Sequence, residues 1–123
     1  MINDYKFYIN KICSVLKIKP PHISFDNSKF KSNTMLAMCE TENNTIYLKE
    51  TDILTPDHIF AIVHELRHLW QFQNNKELFL SNYESIDKIG LEKYNSQLDK
   101  VDAHAFAAIL TNIVTAAAEQ QAS

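Results

Sequence analysis

One stretch of this chain constrains its fold more than any other: Ile62-Val63-His64-Glu65-Leu66-Arg67-His68-Leu69-Trp70-Gln71, which sets the pattern H-E-x-x-H inside an apolar run. At about 100° per residue, a helix projects His64 and His68 from one face a single turn apart, so that both imidazoles can reach one cation. Ile59, Phe60, Ile62, Val63, Leu66 and Leu69 would bury such a helix, and imidazoles in that setting need polar partners. The pattern reads as a Zn²⁺ site held by His64 and His68. Glu65 beside them is placed to take a proton from a water on the ion. The competing reading is an amphipathic helix whose histidines fall four apart by coincidence. A chance H-E-x-x-H in a chain this short should occur roughly a few times in a thousand, which favours the metal.

The rest of the chain limits the partners. With 123 residues, 46% apolar and 22% charged, residues 1–123 form a single domain with a core of their own. One glycine and three prolines leave no flexible linker. A formal charge of -3 and the lack of a basic run argue against nucleic acid. No apolar stretch is expected to approach the length of a membrane span, and the start of the chain lacks the features of a signal peptide, so the expected compartment is cytoplasmic. Cys13 and Cys39 are unclustered and are assigned no chemistry. The oligomeric state is left open.

In chain order, Asn3 or Asp4 caps a first helix in which Tyr5, Tyr8, Ile9, Ile12, Val15 and Leu16 recur at helical spacing until Pro20-Pro21. His22 to Asp26 alternates as a short strand. Met35 to Glu40, whose mixed propensity also admits a helix, and Thr45 to Lys49 flank the turn residues Thr41 to Asn44 and read as a hairpin. Thr55 caps the motif helix, with Pro56 first and Asp57 in its acidic opening turn. Asn74-Asn75-Lys76 breaks that helix, and Glu77 to Tyr83 gives a short one. Gly90 closes a polar loop. From Leu91 onwards Tyr94, Leu98, Val101, Ala105, Ile109, Ile113 and Val114 mark a helical stripe, with small Ala residues allowing close approach to another helix and the end from Ala116 expected to fray. The fold class is α+β: an N-terminal helix, a small three-stranded antiparallel sheet, the H-E-x-x-H helix and a C-terminal helix.

That order, with His64-Glu65-Leu66-Arg67-His68-Leu69-Trp70-Gln71 and then Lys100-Val101-Asp102-Ala103-His104-Ala105-Phe106-Ala107, resembles the small gluzincin metallopeptidases. Within them it is most similar to the minigluzincin-type proteins of phages and mobile elements. The resemblance covers most of the second half of the chain. It implies a zinc metallopeptidase in which Glu65 is the general base, with a protein or peptide as substrate or partner. It also implies a third ligand, a Glu on the later helix, where this chain has Lys100. An ammonium cannot ligate a cation, so the substitutes are His104, Asp99 and Asp102.

Helical geometry ranks the three. His104 lies about 40° around the axis from Lys100, Asp99 about 100° and Asp102 about 200°. Asp102 is expected in a supporting role, pairing with Arg67 across the two helices. His104 can be a ligand, a partner of a ligating imidazole or a plain helix residue, and Asp99 a ligand or a solvated carboxylate. Tyr83 and Tyr94 are candidates for a hydrogen bond to an oxyanion. Trp70 and Phe72 are expected as core or groove walls, and His22 and His58 as surface or capping residues. A second function stands beside the hydrolase. In it the scaffold is catalytically weak or inactive, Lys100 pairs with Glu65 in place of the metal, and the chain binds a protein partner.

Overall fold

The computed structural model describes residues 4–30, 32–80, 89, 90, 93 and 96–122. It is an α+β structure. Among the described residues, helix α1 spans Tyr5–Leu16, β1 His22–Ser24, β2 Ala37–Glu40, β3 Thr45–Leu48, α2 Pro56–Leu80 and α3 Leu98–Ala122, with a 3₁₀ turn at Asn27–Lys29. Tyr83, Tyr94 and the expected helix start at Leu91 lie outside the described residues.

Local chemistry sets the helix ends. The Asp4 side chain accepts a hydrogen bond from the Lys6 N–H at 2.9 Å and opens α1. Lys17 closes it in the left-handed region at φ 57°, its N–H bonded to the Cys13 carbonyl, so the helix stops before Pro20 is reached. Thr55 caps α2 as its sequence implies, and His58 is a capping residue. The His58 N–H reaches Thr55 Oγ1 at 3.4 Å, and the Thr55 N–H donates back to His58 Nδ1 at 3.2 Å. This is a capping box with an imidazole in the place of the usual Glu. Asn75, at φ -157° and ψ 60°, interrupts α2 where the Asn-Asn-Lys break is expected. At the other end of the chain α3 stays helical to Ala122, so no fraying begins at Ala116.

The sheet corrects one expectation. Its order is β1-β3-β2. β2 and β3 form the antiparallel hairpin, with Ala37 opposite Leu48 and Glu40 opposite Thr45. β1 instead runs parallel to β3, with His22 opposite Thr45 and Ser24 opposite Tyr47, so the sheet is mixed. The segment after Ser24 carries the chain across the end of the position that β3 will take. The hairpin then returns β3 between its neighbours, in the direction of β1. As a result all four residues of β3 are buried, and Thr45 to Lys49 is no sheet edge. The outer strands are β1 and β2.

The core gathers Tyr8, Ile9, Ile12 and Leu16 of α1, Ile46 and Leu48 of β3, and Ile59, Ile62, Val63, Leu66 and Leu69 of α2. Each large side chain there is worth about 1.5–3 kcal/mol relative to exposure. α3 buries Ala103, Ala107, Leu110, Val114 and Ala118, of which only Val114 belongs to the expected stripe. Leu98, Val101, Ile109 and Ile113 from the expected stripe are 50%, 52%, 66% and 59% exposed. The alanines let the two helix axes approach closely, which the larger residues would prevent.

Within α3, Leu98–Gln120 is long and apolar enough to cross a membrane by length and composition, against the expectation that no stretch approaches that length. The reason is that the charges of this helix lie at its two ends, Asp99, Lys100 and Asp102 at one and Glu119 at the other, and Ala103 to Ala118 carries no Asp, Glu, Lys or Arg. In the fold, 33% of its most apolar window is buried.

The orientation of α3 can be checked directly. Ala107→Leu is expected to destabilise the fold by about 1–3 kcal/mol through overpacking, and Ile109→Ser to change stability by less than about 0.5 kcal/mol. Urea denaturation measures both, and the opposite ranking would put the other face of α3 inward.

Candidate metal centre

α2 carries the site. Two turns into the helix, His64 and His68 stack one above the other with ring centroids 4.7 Å apart and planes at 75°. Their Nε2 atoms face each other at 3.0 Å. Two nitrogens about 2.0–2.1 Å from one tetrahedral zinc lie roughly 3.3 Å apart, so the spacing fits a pair that shares an ion.

The protonation of His68 follows from its surroundings. The Gln71 amide nitrogen donates to two acceptors, the Asp99 carbonyl and Asp102 Oδ2, each at 2.9 Å. That leaves Gln71 Oε1, 2.9 Å from His68 Nδ1, as an acceptor. Nδ1 therefore carries the proton, and Nε2 presents its lone pair toward His64. A hydrogen bond of this kind to the far nitrogen is what orients a metal-binding imidazole. Burial, reinforced by the Lys100 cation, depresses His64 to about 4 and His68 to about 3. Both rings are neutral at pH 7, as a metal ligand must be.

The same chain of contacts ties α2 to α3. Arg67 forks onto Asp102, Nε to Oδ2 at 2.8 Å and Nη2 to Oδ1 at 3.2 Å. Its guanidinium lies between the rings of Trp70 and Phe106, at 3.7 and 4.4 Å from their centroids. The pairing of Arg67 with Asp102 is the one the sequence suggests, and Trp70 is the wall it packs on. Burial alone would raise the Asp102 carboxyl, but hydrogen bonds from Arg67 and Gln71 outweigh it and hold the group below its ordinary value.

Glu65 faces β2. Burial pushes its carboxyl up to about 7, while a hydrogen bond from the Cys39 thiol and the charge of Lys100 pull the other way. Cys39 itself is raised well above the usual thiol range, first by burial and then by Glu65. Glu65 can therefore take and return a proton near neutral pH.

The three substitutes for a third ligand separate. Asp102 is committed to Arg67 and Gln71. Asp99 is only 2% exposed and approaches His68 on its Nδ1 side, with Oδ2 4.0 Å away. That nitrogen already bonds Gln71, and the distance exceeds the spacing of two donors on one ion. His104 is exposed on α3, its ring edge-on to Phe60 at 5.3 Å. It is close enough to His64 to contribute to that ring's depressed basicity. Among the described residues no three His, Cys, Asp or Glu side chains are grouped to hold an ion. The spacing of the two imidazoles fits zinc, and no third protein donor among the described residues is gathered with them.

Two contributors escaped the sequence reading. Gln71 stands three residues after His68, on the same helix face, so its spacing was a usable signal. Cys39 meets Glu65 only through the packing of β2 on α2, which no local pattern encodes. Comparison of the chain with protein-family profiles, with characterised proteins and with solved structures finds no match in any of the three.

Asp102→Asn is expected to cost about 3 kcal/mol near pH 7, because it leaves the enclosed Arg67 without its counter-charge. The folded-state pKa of Asp102 is depressed, so its contribution is present above the ordinary value of 3.8 and is lost as pH falls through the lower, folded value. Denaturation at pH 7 and near pH 3 should show the gap between parent and variant closing in acid.

Proposed function

We propose that this chain is a zinc-dependent metallopeptidase-like protein of the minigluzincin type, acting on a protein or peptide. The observation that carries the proposal is the His64 and His68 pair: Nε2 atoms 3.0 Å apart, with His68 fixed by Gln71 in the tautomer that turns its Nε2 lone pair toward His64. His64 and His68 would hold the ion. When bound, zinc supplies Lewis acidity toward a peptide carbonyl and makes water a better nucleophile at neutral pH.

The chain's own residues do the rest. Glu65 takes a proton from the attacking water as its oxygen bonds to the carbonyl carbon. It returns that proton to the amide nitrogen as the carbon–nitrogen bond breaks, and the second proton of the water follows to the amine, leaving a carboxylate and an ammonium. Without metal, burial holds this carboxyl up at about 7, and the charge of a bound zinc would draw it toward the ionised form that a base needs. The open edge of β2, which packs against α2 and carries Cys39 beside Glu65, offers an extended peptide a strand to pair with. The free thiols of Cys13 and Cys39 accord with a cytoplasmic location.

A second reading is favoured by Lys100, whose charge acts on His64, Glu65 and His68 together. In it the scaffold works without zinc and binds a protein partner in the phage or mobile-element setting that the resemblance implies.

Metal analysis separates the two readings. The hydrolase reading predicts that zinc titrated into the protein binds at about one ion per chain and raises the melting temperature, and that His64→Ala or His68→Ala abolishes both effects. No binding, with an unchanged melting temperature, favours the scaffold. Glu65→Gln is expected to keep the fold and the metal while lowering peptide hydrolysis by at least about 10²-fold. Equal activity of variant and parent would remove Glu65 from the mechanism.

A further inference from the structure

The parallel pairing of β1 with β3 brings together residues that lie far apart in sequence. Ser24 stands opposite Tyr47, so Phe25, just past β1, and Lys49-Glu50, just past β3, leave the sheet at the same end. An antiparallel β1 would have put them at opposite ends. The first residue of α1 joins them there. The Tyr5 hydroxyl donates to the Lys49 carbonyl, and the Tyr5 ring stands at 58° to that of Phe25 with centroids 5.7 Å apart. Tyr5 and Phe25 line an open cavity of about 500 Å³ together with Glu50, Thr51 and Asp52. Thr51 fixes the turn that carries the two acids: its Oγ1 accepts from the Ile53 N–H at 3.3 Å and donates to the Ile53 carbonyl at 3.0 Å.

Two acids, two aromatic rings and no base line this cavity. Lys49, next to Glu50 in sequence, directs its charge elsewhere, since Nζ donates to the Asn33 carbonyl and lies over the Phe30 ring, 5.7 Å from its centroid. The positive end of α1 is met by its own cap, the Asp4 carboxylate, which accepts the Lys6 N–H at 2.9 Å. Glu50 is near enough to Tyr5 for its charge to add to burial in raising the phenol above its ordinary value. An anion would be repelled from such a lining. The rings then decide between cations. A hydrated metal ion gains little from an aromatic face, whereas an ammonium carrying methyl or methylene groups packs them on the rings and keeps its charge over the electron-rich faces.

We propose that this cavity is a receptor site for an alkylated ammonium group, with Tyr5 and Phe25 as its aromatic faces and Glu50 and Asp52 as its counter-charge. A free amine and the lysine side chain of a peptide present the same chemistry to it. None of the lining residues belongs to α2, α3 or β2, so the site is separate from His64 and His68 and its occupation does not depend on zinc.

The test is NMR of the full chain at constant ionic strength, following the ring signals of Tyr5 and Phe25 as tetramethylammonium chloride is added, with neopentyl alcohol as an uncharged probe of similar shape. Tetramethylammonium should shift both rings saturably with a Kd on the order of millimolar, and neopentyl alcohol should not. Phe25 is 41% exposed, so Phe25→Ala should keep the fold. That variant, read at Tyr5, and the double variant Glu50→Gln, Asp52→Asn should each weaken binding by at least about threefold. Melting temperatures confirm that each variant is folded, and if one is not, the other carries the test. A capped glycine pentapeptide with a central lysine identifies the source: competition with tetramethylammonium assigns the cation to a peptide side chain, and its failure assigns it to a free amine. No saturable shift at these rings overturns the proposal. Equal binding of neopentyl alcohol, which would make the cavity a plain apolar cleft, also overturns it, as does unchanged binding in the folded variants.

Discussion

The bidentate contact of Arg67 with Asp102 orients much of what surrounds it. Arg67 is the single arginine of the chain and sits between the two histidines of the motif, on α2. Asp102 is on α3, and the guanidinium between them is packed on Trp70 and Phe106. A planar, permanently charged group with two parallel hydrogen bonds and a ring on either face has little freedom to turn. It therefore fixes which side of α3 meets α2. Asp102 also accepts from Gln71, whose carbonyl oxygen holds the proton of His68 at Nδ1. An interaction that joins two helices thus ends in the tautomer of an imidazole, which determines whether that ring can bind a metal.

The same contact explains why α3 buries small residues. With Asp102 turned toward Arg67 and Asp99 enclosed near His68, the residues that follow at one-turn intervals on that side are Ala103, Ala107 and Leu110. Alanine lets the backbones come close enough for Gln71 to reach the Asp99 carbonyl. A larger side chain at either alanine would push α3 away and lengthen the hydrogen bonds that orient His68. Packing and chemistry are linked through helix separation. Leu98, Val101, Ile109 and Ile113 are left on the outside because the polar network, rather than the sum of apolar area, sets the rotation.

Much of this was legible in the sequence where the signal is local. The motif on a helix, the Thr55-Pro56 start, the break at Asn75, the Thr41 to Asn44 hairpin and the Arg67 to Asp102 pairing each follow from neighbouring residues or from a single salt-bridge argument. What was not legible depends on relations across the fold. The parallel pairing of β1 follows from how the chain crosses the sheet after Ser24, which strand patterning does not encode. Small alanines allowing close helix approach were legible on α3, but of the described part of the expected stripe only Val114 is buried, while Leu98, Val101, Ala105, Ile109 and Ile113 are exposed, because the rotation of the helix is set by contacts across the fold. Cys39 carried no motif at all, and its place beside Glu65 follows from the packing of β2 against α2.

At the centre of the account is a pair of neutral imidazoles whose Nε2 atoms share a hydrogen bond, 3.0 Å long, that one ion would replace. Nitrogen-15 NMR of the histidine side chains at pH 7, before and after saturating zinc, tests it most directly. The account predicts that His68 is protonated at Nδ1 and that both His64 and His68 are uncharged without metal. Zinc should then shift the Nε2 resonances of these two rings and leave His22 and His58 unmoved. A His68 protonated at Nε2, or zinc shifts confined to the other histidines, would contradict it.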